Sequence, residues 1–447
     1  MENVRKVVSS KYTLIEKKDN NTYVVANTLT GAIINIDEEP FISKIKEIAE
    51  NDKSFIYDYN EEDDMHSIFL DNGVFANSNQ DEYEMALYAY EQVIVRANTL
   101  QLTILPTRQC NFRCVYCYED LRDDHMTEEV YNSILLYLEK ALESKQHSKI
   151  HISLFGGEPF LNFDDVINFL KKANDVCRKY SVPFEVSATT NFYLVTPDRF
   201  EALMEVGCKF FQVAIDGLAA THDTRKCQKD GKPTFDVIIE NMRYAKSTAH
   251  DFKFVIRSNF DEEVMAQAKD FYLFIKQNFD DSRFSVAYIN IQKWGGRNDS
   301  DMDVITESKL EEAKKEIASV LSELELKNDM SEIFALPFHS LCYASKPNMF
   351  IIDYDGTILK CTLKLDEEYN KVGKVEINGE LNIDHKRHAP WITRYNMLNE
   401  KCKSCDILPV CFGGACPLLK VSENKTVCRY EQKKAEFCNI LKYTIDV

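Results

Sequence analysis

The chain has 447 residues, with 54 Lys plus Arg against 72 Asp plus Glu and a formal charge of −18. Such an acidic balance argues against nucleic acid as the main partner, and 45% hydrophobic residues with only 14 Gly and 11 Pro exclude collagen-like and wholly disordered chains. The length corresponds to about three domains with a core of normal size.

No apolar run approaches the roughly 18 residues of a membrane span, and Met1–Asn21 lacks the apolar core of a signal peptide. The expected setting is cytoplasmic, with no membrane and no nucleic-acid partner. In a reducing compartment the 14 cysteines read as metal ligands or catalytic thiols rather than a disulfide framework.

Residues 1–95 contain no cysteine. The stretch 22–36 reads as two short strands around a turn at Asn27–Gly31. Glu38–Glu50 has helical spacing in Phe41, Ile42, Ile45 and Ile48. Residues 51–64 read as an acidic loop, Ile68–Asn72 as a short apolar element, and Glu82–Val93 as a Tyr-rich helix. Together they predict a compact α+β module.

Residues 96–305 repeat strand, loop and helix. The strands are expected at Leu100–Leu105, Ile150–Phe155, Phe184–Thr189, Phe210–Ile215, Phe252–Ser258 and Phe284–Ile291. The helices between them are expected at Glu128–Glu143, Asp164–Tyr180, Pro197–Val206, Phe235–Ser247 and Glu262–Phe279, with Pro197 after Thr196 as a helix start. This alternation predicts parallel strands, right-handed crossovers and a partial (β/α)6 barrel, with chemistry at the C-terminal strand ends. Residues 306–447 begin with a linker helix at about 308–326. From about 330 they hold eight of the 14 cysteines and few long periodic segments, so metal is expected to hold them together.

The first barrel strand runs into Cys110-x3-Cys114-x2-Cys117, followed by Tyr118. Three local thiolates without a nearby His suit zinc poorly. They suit a cubane iron–sulfur cluster with one iron left open.

On this motif the chain resembles a radical S-adenosylmethionine enzyme. The resemblance implies an open iron that chelates the amino and carboxylate groups of S-adenosylmethionine. Gly156–Gly157–Glu158–Pro159 after the second strand resembles the GGEP motif, which would hold the methionine ammonium. Ser187, Thr190 and Asn191 on the third strand resemble ribose and methionine contacts. Asp216–Gly217 with His222, Asp223 and Arg225 resembles a signature of the peptide-modifying branch. Arg257 and Asn259 end the fifth strand, and Arg257 would pair with the methionine carboxylate.

The C-terminal cysteines resemble a SPASM domain with two auxiliary clusters, three 4Fe-4S clusters in all. By that resemblance Cys342, Cys361 and Cys416 hold the first, and Cys402, Cys405, Cys411 and Cys428 the second. The Cys411-x4-Cys416 gap is one residue longer than the family's. A zinc site at Cys402, Cys405 and Cys411 is the rival reading, because Cys-x2-Cys is also a zinc spacing. Cys177, Cys208 and Cys227 match nothing and read as ordinary thiols. Ser331–Leu341 contains no cysteine, so the first auxiliary cluster keeps an iron for a substrate thiol unless Cys438, His339 or water fills it.

Position and architecture make residues 1–95 resemble a winged-helix-like peptide-recognition module that binds a leader by strand addition. The implied enzyme is a peptide maturase similar to sactipeptide and ranthipeptide synthases. It would form a thioether between a Cys sulfur and a carbon of a ribosomally made precursor. Its electron donor would be of flavodoxin or ferredoxin type. Other SPASM oxidases, such as an anaerobic sulfatase maturase or a carbon–carbon crosslinking maturase, are the alternative enzymes. A non-catalytic iron–sulfur carrier is the alternative of another class.

Overall fold

The computed structural model describes residues 6–19, 21–60, 62–95, 98–329, 341–392, 399–411, 413, 416–423, 428 and 430–443. Packing divides the chain into two compact units: 1–96 with 330–346 and 392–447, and 97–329 with 347–391. This partition differs from three consecutive segments. The last cysteine-rich stretch belongs with the N-terminal module, and the stretch before it belongs with the barrel.

In the first unit β1 (Lys6–Ser9) lies between β5 (Ile56–Asp58) and β6 (Phe75–Asn77), all antiparallel. β2 (Thr13–Lys17), β3 (Tyr23–Asn27) and β4 (Ile33–Ile36) form an antiparallel meander. The expected strand pair is β3–β4. The acidic loop contains β5, and the short apolar element is the end of helix α2 (Asp64–Asp71), which Asp63 caps by accepting from the Met65 amide. α1 (Phe41–Glu50) buries Ile42, Ile45 and Ile48, the face that its spacing predicts. α3 (Glu82–Val95) completes the N-terminal elements.

This module does not close on itself. Leu14, Val24 and Ala26 of β2 and β3 share a core with Ile407, Val410, Phe437 and Leu441, and Cys405 and Cys411 pack against it. Phe437 and Leu441 lie on the helix Tyr430–Tyr443. A second core joins Tyr12, Ala86 and Tyr90 to Leu341 and Leu408, with Cys402 and Cys405 alongside. Each such large apolar side chain contributes about 1.5–3 kcal/mol on burial. Apolar packing therefore adds to whatever metal contributes to this region.

In the second unit the six expected strands are present and parallel: β7 (Thr99–Ile104), β9 (Lys149–Leu154), β10 (Phe184–Thr190), β11 (Cys208–Ala214), β13 (Lys253–Phe260) and β14 (Phe284–Asn290). Leu102, Ile104, Ile150, Ile152 and Leu154 are fully buried and alternate with less buried Gln101, His151 and Ser153. Alternation puts the apolar set on one face and the polar set on the other. Residues 226–228 form β12, which pairs antiparallel with β8 (Phe112–Cys114).

The helices α4 (Glu128–Glu143), α5 (Phe163–Lys179), α6 (Pro197–Glu205), α8 (Phe235–Ser247) and α10 (Ala268–Phe279) stand between the strands as expected, with short α7 (Ala219–Arg225) and α9 (Glu262–Met265). α11 (Glu307–Glu323) is the linker helix.

The sheet continues beyond the barrel. β15 (Met349–Ile352) pairs parallel with β7, and β16 (Thr357–Leu359), β17 (Lys371–Val375) and β18 (Leu381–Ile383) follow as an antiparallel meander. Four added strands make a ten-stranded mixed sheet. Met349–Ile352, Ile358, Leu359 and Val372 are buried, so this part of the cysteine-rich region has an ordinary apolar core. Among the described residues no helix is long and apolar enough to cross a membrane.

Arg108 joins this extension to the barrel. It is 2% exposed, and its Nε lies 2.9 Å from an Asp353 carboxylate oxygen. Its Nη2 donates to the other oxygen, and Asp366 lies 3.4 Å away. Removing one partner of a buried pair leaves the other charge uncompensated. Arg108→Met is expected to cost about 3–5 kcal/mol in urea unfolding. The double variant Arg108→Met/Asp353→Leu should recover most of that loss.

Candidate active site

Residues 105–119 follow β7 and carry Cys110, Cys114 and Cys117, all half-buried. The turn after β9 lies directly against them. The Gly157 amide donates to the Thr107 carbonyl at 3.3 Å, and the Glu158 amide donates to the Gln109 carbonyl at 2.8 Å. Gly156 has φ +121°, and a Cβ there would meet the Thr107 carbonyl at 2.6 Å. At Gly157 a Cβ would stand 2.1 Å from the Gln109 carbonyl. The two glycines are needed because two backbones touch. Pro159 is buried behind them.

Glu158 is fully buried. Its carboxylate accepts from Thr190 Oγ1 at 2.7 Å, the Asn191 amide at 2.8 Å and the Phe160 amide at 3.2 Å. These bonds tie the end of β9 to the end of β10. Burial pushes its pKa up to about 7 against the pull of those donors. Asn191 extends the tie, donating from Nδ2 to Asn111 Oδ1 at 2.8 Å. Thr190 Oγ1 also accepts from the Phe192 amide at 3.0 Å.

Ser187 does not join this group. It lies within β10, 2.9 Å from His151 Nε2 of β9.

Asp216, after β11, is fully buried. It accepts the Tyr116 hydroxyl and, through its other oxygen, the Asn259 amide at 2.9 Å and Nδ2 at 3.2 Å. Arg257 Nε donates to Asn259 Oδ1 at 3.0 Å. The strand ends of β7, β9, β10, β11 and β13 are thus stitched together around the cysteine loop, the place where such barrels carry their sites.

The remaining residues of that signature hold the frame. His222 Nδ1 accepts the Asp216 amide at 3.2 Å, and burial, then Lys226, hold its pKa well below the usual range, so it is neutral. Asp223 accepts the Thr234 and Phe235 amides at the start of α8. Arg225 pairs with Asp261 at 2.6 Å and Glu263 at 3.0 Å.

Two central residues went unread in the sequence. Lys226 stands directly opposite Cys114 in the β8–β12 ladder. Its Nζ lies 3.6 Å from Cys114 Sγ and 3.3 Å from the Tyr116 hydroxyl. Burial works to lower its pKa, but the anionic forms of Cys114, Tyr116 and Asp216 outweigh burial and hold it well above normal. No local pattern marks this lysine, because the ladder that places it pairs residues far apart in the chain. Tyr116, inside the cysteine motif, had a visible signal in its position. Gly296 was also missed: its Cβ would meet the Cys117 carbonyl at 2.6 Å and Tyr118 Cα at 2.8 Å, so the loop after β14 packs on the same motif.

Burial, first, and the neighbouring carboxylates and thiols push the Cys110, Cys114 and Cys117 thiols up, Cys117 to about 12. Such thiols ionise at neutral pH when a metal centre supplies positive charge. The buried Asn111 Nδ2 has no partner among the described residues, which leaves a donor free beside Cys110. The donor set of three thiols, one cation and one free amide fits a three-thiolate cluster. Among the described residues no three His, Cys, Asp or Glu side chains converge on a single metal ion; a four-iron cluster is larger and draws its thiolates from further apart.

Of the other cysteines, Cys177 and Cys208 are fully buried, and Cys227 lies beside Lys226 in β12. Cys405 feels Asp406, Cys411 and Cys402, and Cys402 feels Cys428, each after the larger effect of burial. Cys405 is thus near Cys402 and Cys411, and Cys402 is near Cys428. Cys438 hydrogen-bonds Glu16 and is pushed up to about 12, mainly by burial. Cys342, Cys361 and Cys416 are divided between the two units. His339 and residues 331–340 lie outside the described residues.

Residues 104–269 match the Radical SAM superfamily. The chain is 23% identical over 288 residues to the radical SAM cyclopropyl synthase TigE of Paramaledivibacter caminithermalis, covering 58% of this chain and 60% of that one. It is 30% identical over 132 residues to the GTP 3′,8-cyclase of a Sulfurovum species, covering 29% and 38%. The chain therefore spans less than two thirds of the length of these curated relatives. Among solved structures, anSMEcpe with bound AdoMet and Cp18Cys peptide aligns with TM-score 0.58 at 18% identity, covering 76% of this chain and 95% of that one. Streptococcus suis SuiB bound to precursor peptide SuiA aligns with TM-score 0.51 at 18% identity, covering 93% and 97%.

Two variants test the loop contact. Gly157→Ala must move the cysteine loop, so iron uptake by Cys110, Cys114 and Cys117 on reconstitution is expected to fall. Glu158 has a pKa raised from 4.5 to about 7. Between these values the folded state binds more protons than the unfolded, so stability falls as pH rises through that window. Metal-free protein should lose on the order of 2–3 kcal/mol from this group between pH 4.5 and 7. Glu158→Gln should flatten the slope, leaving the part due to Glu119, which burial likewise raises to about 7. An unchanged slope would show that Glu158 does not titrate there.

Residues 104–269 thus resemble the Radical SAM superfamily, and the fold resembles those of anSMEcpe and SuiB.

Proposed function

We propose that this chain is a radical S-adenosylmethionine enzyme that installs thioether crosslinks in a ribosomally made, cysteine-containing precursor peptide. The observation that carries the enzymatic reading is the placement of three half-buried thiols against the Gly156–Glu158 turn at the strand ends. Cys110, Cys114 and Cys117 would hold the cluster, and the Gly156–Gly157 backbone, Arg257 and Asn191 would line the S-adenosylmethionine site. When bound, the cluster and S-adenosylmethionine supply a 5′-deoxyadenosyl radical that abstracts hydrogen. Lys226 would offset the negative charge of the cluster at Cys114. Tyr116, held by Asp216, would keep the loop in register.

The peptide substrate is supported by relatives that resemble this chain in fold: SuiB was solved with its precursor and anSMEcpe with a peptide. Residues 1–95 would dock the leader. Their two small sheets have edge strands at β2, β4, β5 and β6, and a cavity of about 430 Å³ runs beside β6, lined by Leu70, Phe75, Glu82 and Met85 among others. Cys402, Cys405, Cys411 and Cys428 would hold one auxiliary cluster. Joining sulfur to carbon removes two hydrogens. One would go to the 5′-deoxyadenosyl radical, giving 5′-deoxyadenosine, and the other would leave the thiol as a proton, its electron to be taken by a cluster that the auxiliary cysteines would hold. A flavodoxin- or ferredoxin-type donor would reduce the first cluster.

Carbon–carbon bond formation is the second reading, favoured by the similarity to a cyclopropyl synthase. Replacing Cys110, Cys114 and Cys117 together by Ala is expected to abolish 5′-deoxyadenosine formation; undiminished formation would sink both readings. Both products lose two hydrogens per link, so thiol alkylation followed by mass spectrometry separates them. A thioether consumes the alkylatable thiol, and a carbon–carbon link leaves it.

A further inference from the structure

Tyr12 sits in the turn between β1 and β2, fully buried, yet its hydroxyl has no hydrogen-bond partner among the described residues. An unmade bond at a buried hydroxyl is destabilising, so the position calls for an acceptor. Its surroundings are Ala86, Tyr90, Leu341 and Leu408, with the half-buried Cys402 and Cys405 packed against the group. After burial and Glu82, the negative charge that acts most on the Tyr12 phenol is Cys405.

The segment around Tyr12 is held rigidly. Ser10 Oγ bonds Glu82, the Lys11 amide donates to Glu82 at 3.0 Å, and the Tyr12 amide donates to Ser10 Oγ at 3.2 Å. On the far side, Thr28 Oγ1 donates to the Asp406 carbonyl at 2.7 Å, and Lys11 Nζ to the Lys403 carbonyl at 3.1 Å. The N-terminal module thus grips the Cys402–Cys411 stretch from both sides of Tyr12.

We propose that the N-terminal module forms one wall of the Cys402/Cys405/Cys411/Cys428 centre and that Tyr12 donates a hydrogen bond to that centre. This rests on the reading that the four thiols hold an auxiliary cluster. A donor directed at cluster or thiolate sulfur stabilises the more negative, reduced state and raises the reduction potential. Tyr12 is then a positioning and tuning residue, and the module does more than dock a peptide.

The test uses the full-length chain with Cys110, Cys114, Cys117 and Cys361 replaced by Ala, which leaves the Cys402–Cys428 centre to be observed. Iron content and the electronic spectrum establish that centre. Further replacement of Cys402, Cys405 and Cys411 must abolish both; if it does not, the auxiliary-cluster reading itself is wrong. With the centre established, Tyr12→Phe is expected to keep iron content and thermal midpoint. It should shift the midpoint potential to more negative values and remove one solvent-exchangeable proton coupling from the paramagnetic resonance of the reduced centre. An unchanged potential with an unchanged coupling overturns the proposal and leaves the centre standing. Should Tyr12→Phe take up less iron, the coupling measured without that substitution in H2O and D2O decides, and its absence overturns the proposal.

Discussion

The close approach of two backbones, Thr107–Gln109 and Gly156–Glu158, governs the rest of the site. It is possible only where residues 156 and 157 lack a Cβ, since either would strike a main-chain carbonyl. Once the backbones touch, Glu158 is carried into a dry position where Thr190 and Asn191 are the donors within reach. Asn191 then reaches back to Asn111 in the cysteine loop, closing a ring of contacts through β7, β9 and β10. The motif's glutamate is thereby built into the frame of the strand ends.

Charge inside this frame is balanced locally. Lys226 answers the anionic potential of Cys114, Tyr116 and Asp216, and Arg108 answers Asp353 and Asp366. Buried ions are tolerated only in such company. The two cations act on opposite flanks of one loop, Arg108 before Cys110 and Lys226 opposite Cys114. The loop is therefore held by charge as well as by backbone bonds, although the chain as a whole is strongly acidic.

The barrel was legible in the sequence because each strand and helix there is a long local pattern, and because capping signals such as Thr196–Pro197 are local too. The cysteine loop and the glycine turn were legible for the same reason. What escaped depends on pairing across distance. β15–β18 are strands of three to five residues, too short for a period to register, and they gain order by adding to β7 and to one another. Lys226 is marked only by its opposite number in a ladder. The bonds of Glu158 to Thr190 and Asn191 escaped as well, because sequence reveals a carboxylate's charge but not the donors that the fold brings to it.

The same limit explains the N-terminal module. Read alone, residues 1–95 look self-sufficient: a strand pair, two helices and apolar faces of the right period. Yet Leu14, Val24 and Ala26 bury themselves against residues near the other end of the chain. An apolar strand face announces that it needs a cover without saying which segment supplies it. Here the cover bears cysteines, and this has an energetic consequence. Folding of the module and organisation of Cys402, Cys405 and Cys411 draw on one shared core, so free energy gained at either is felt by both. Any metal bound by those thiols would stabilise β2 and β3, and a peptide that ordered those strands would by linkage tighten the metal site.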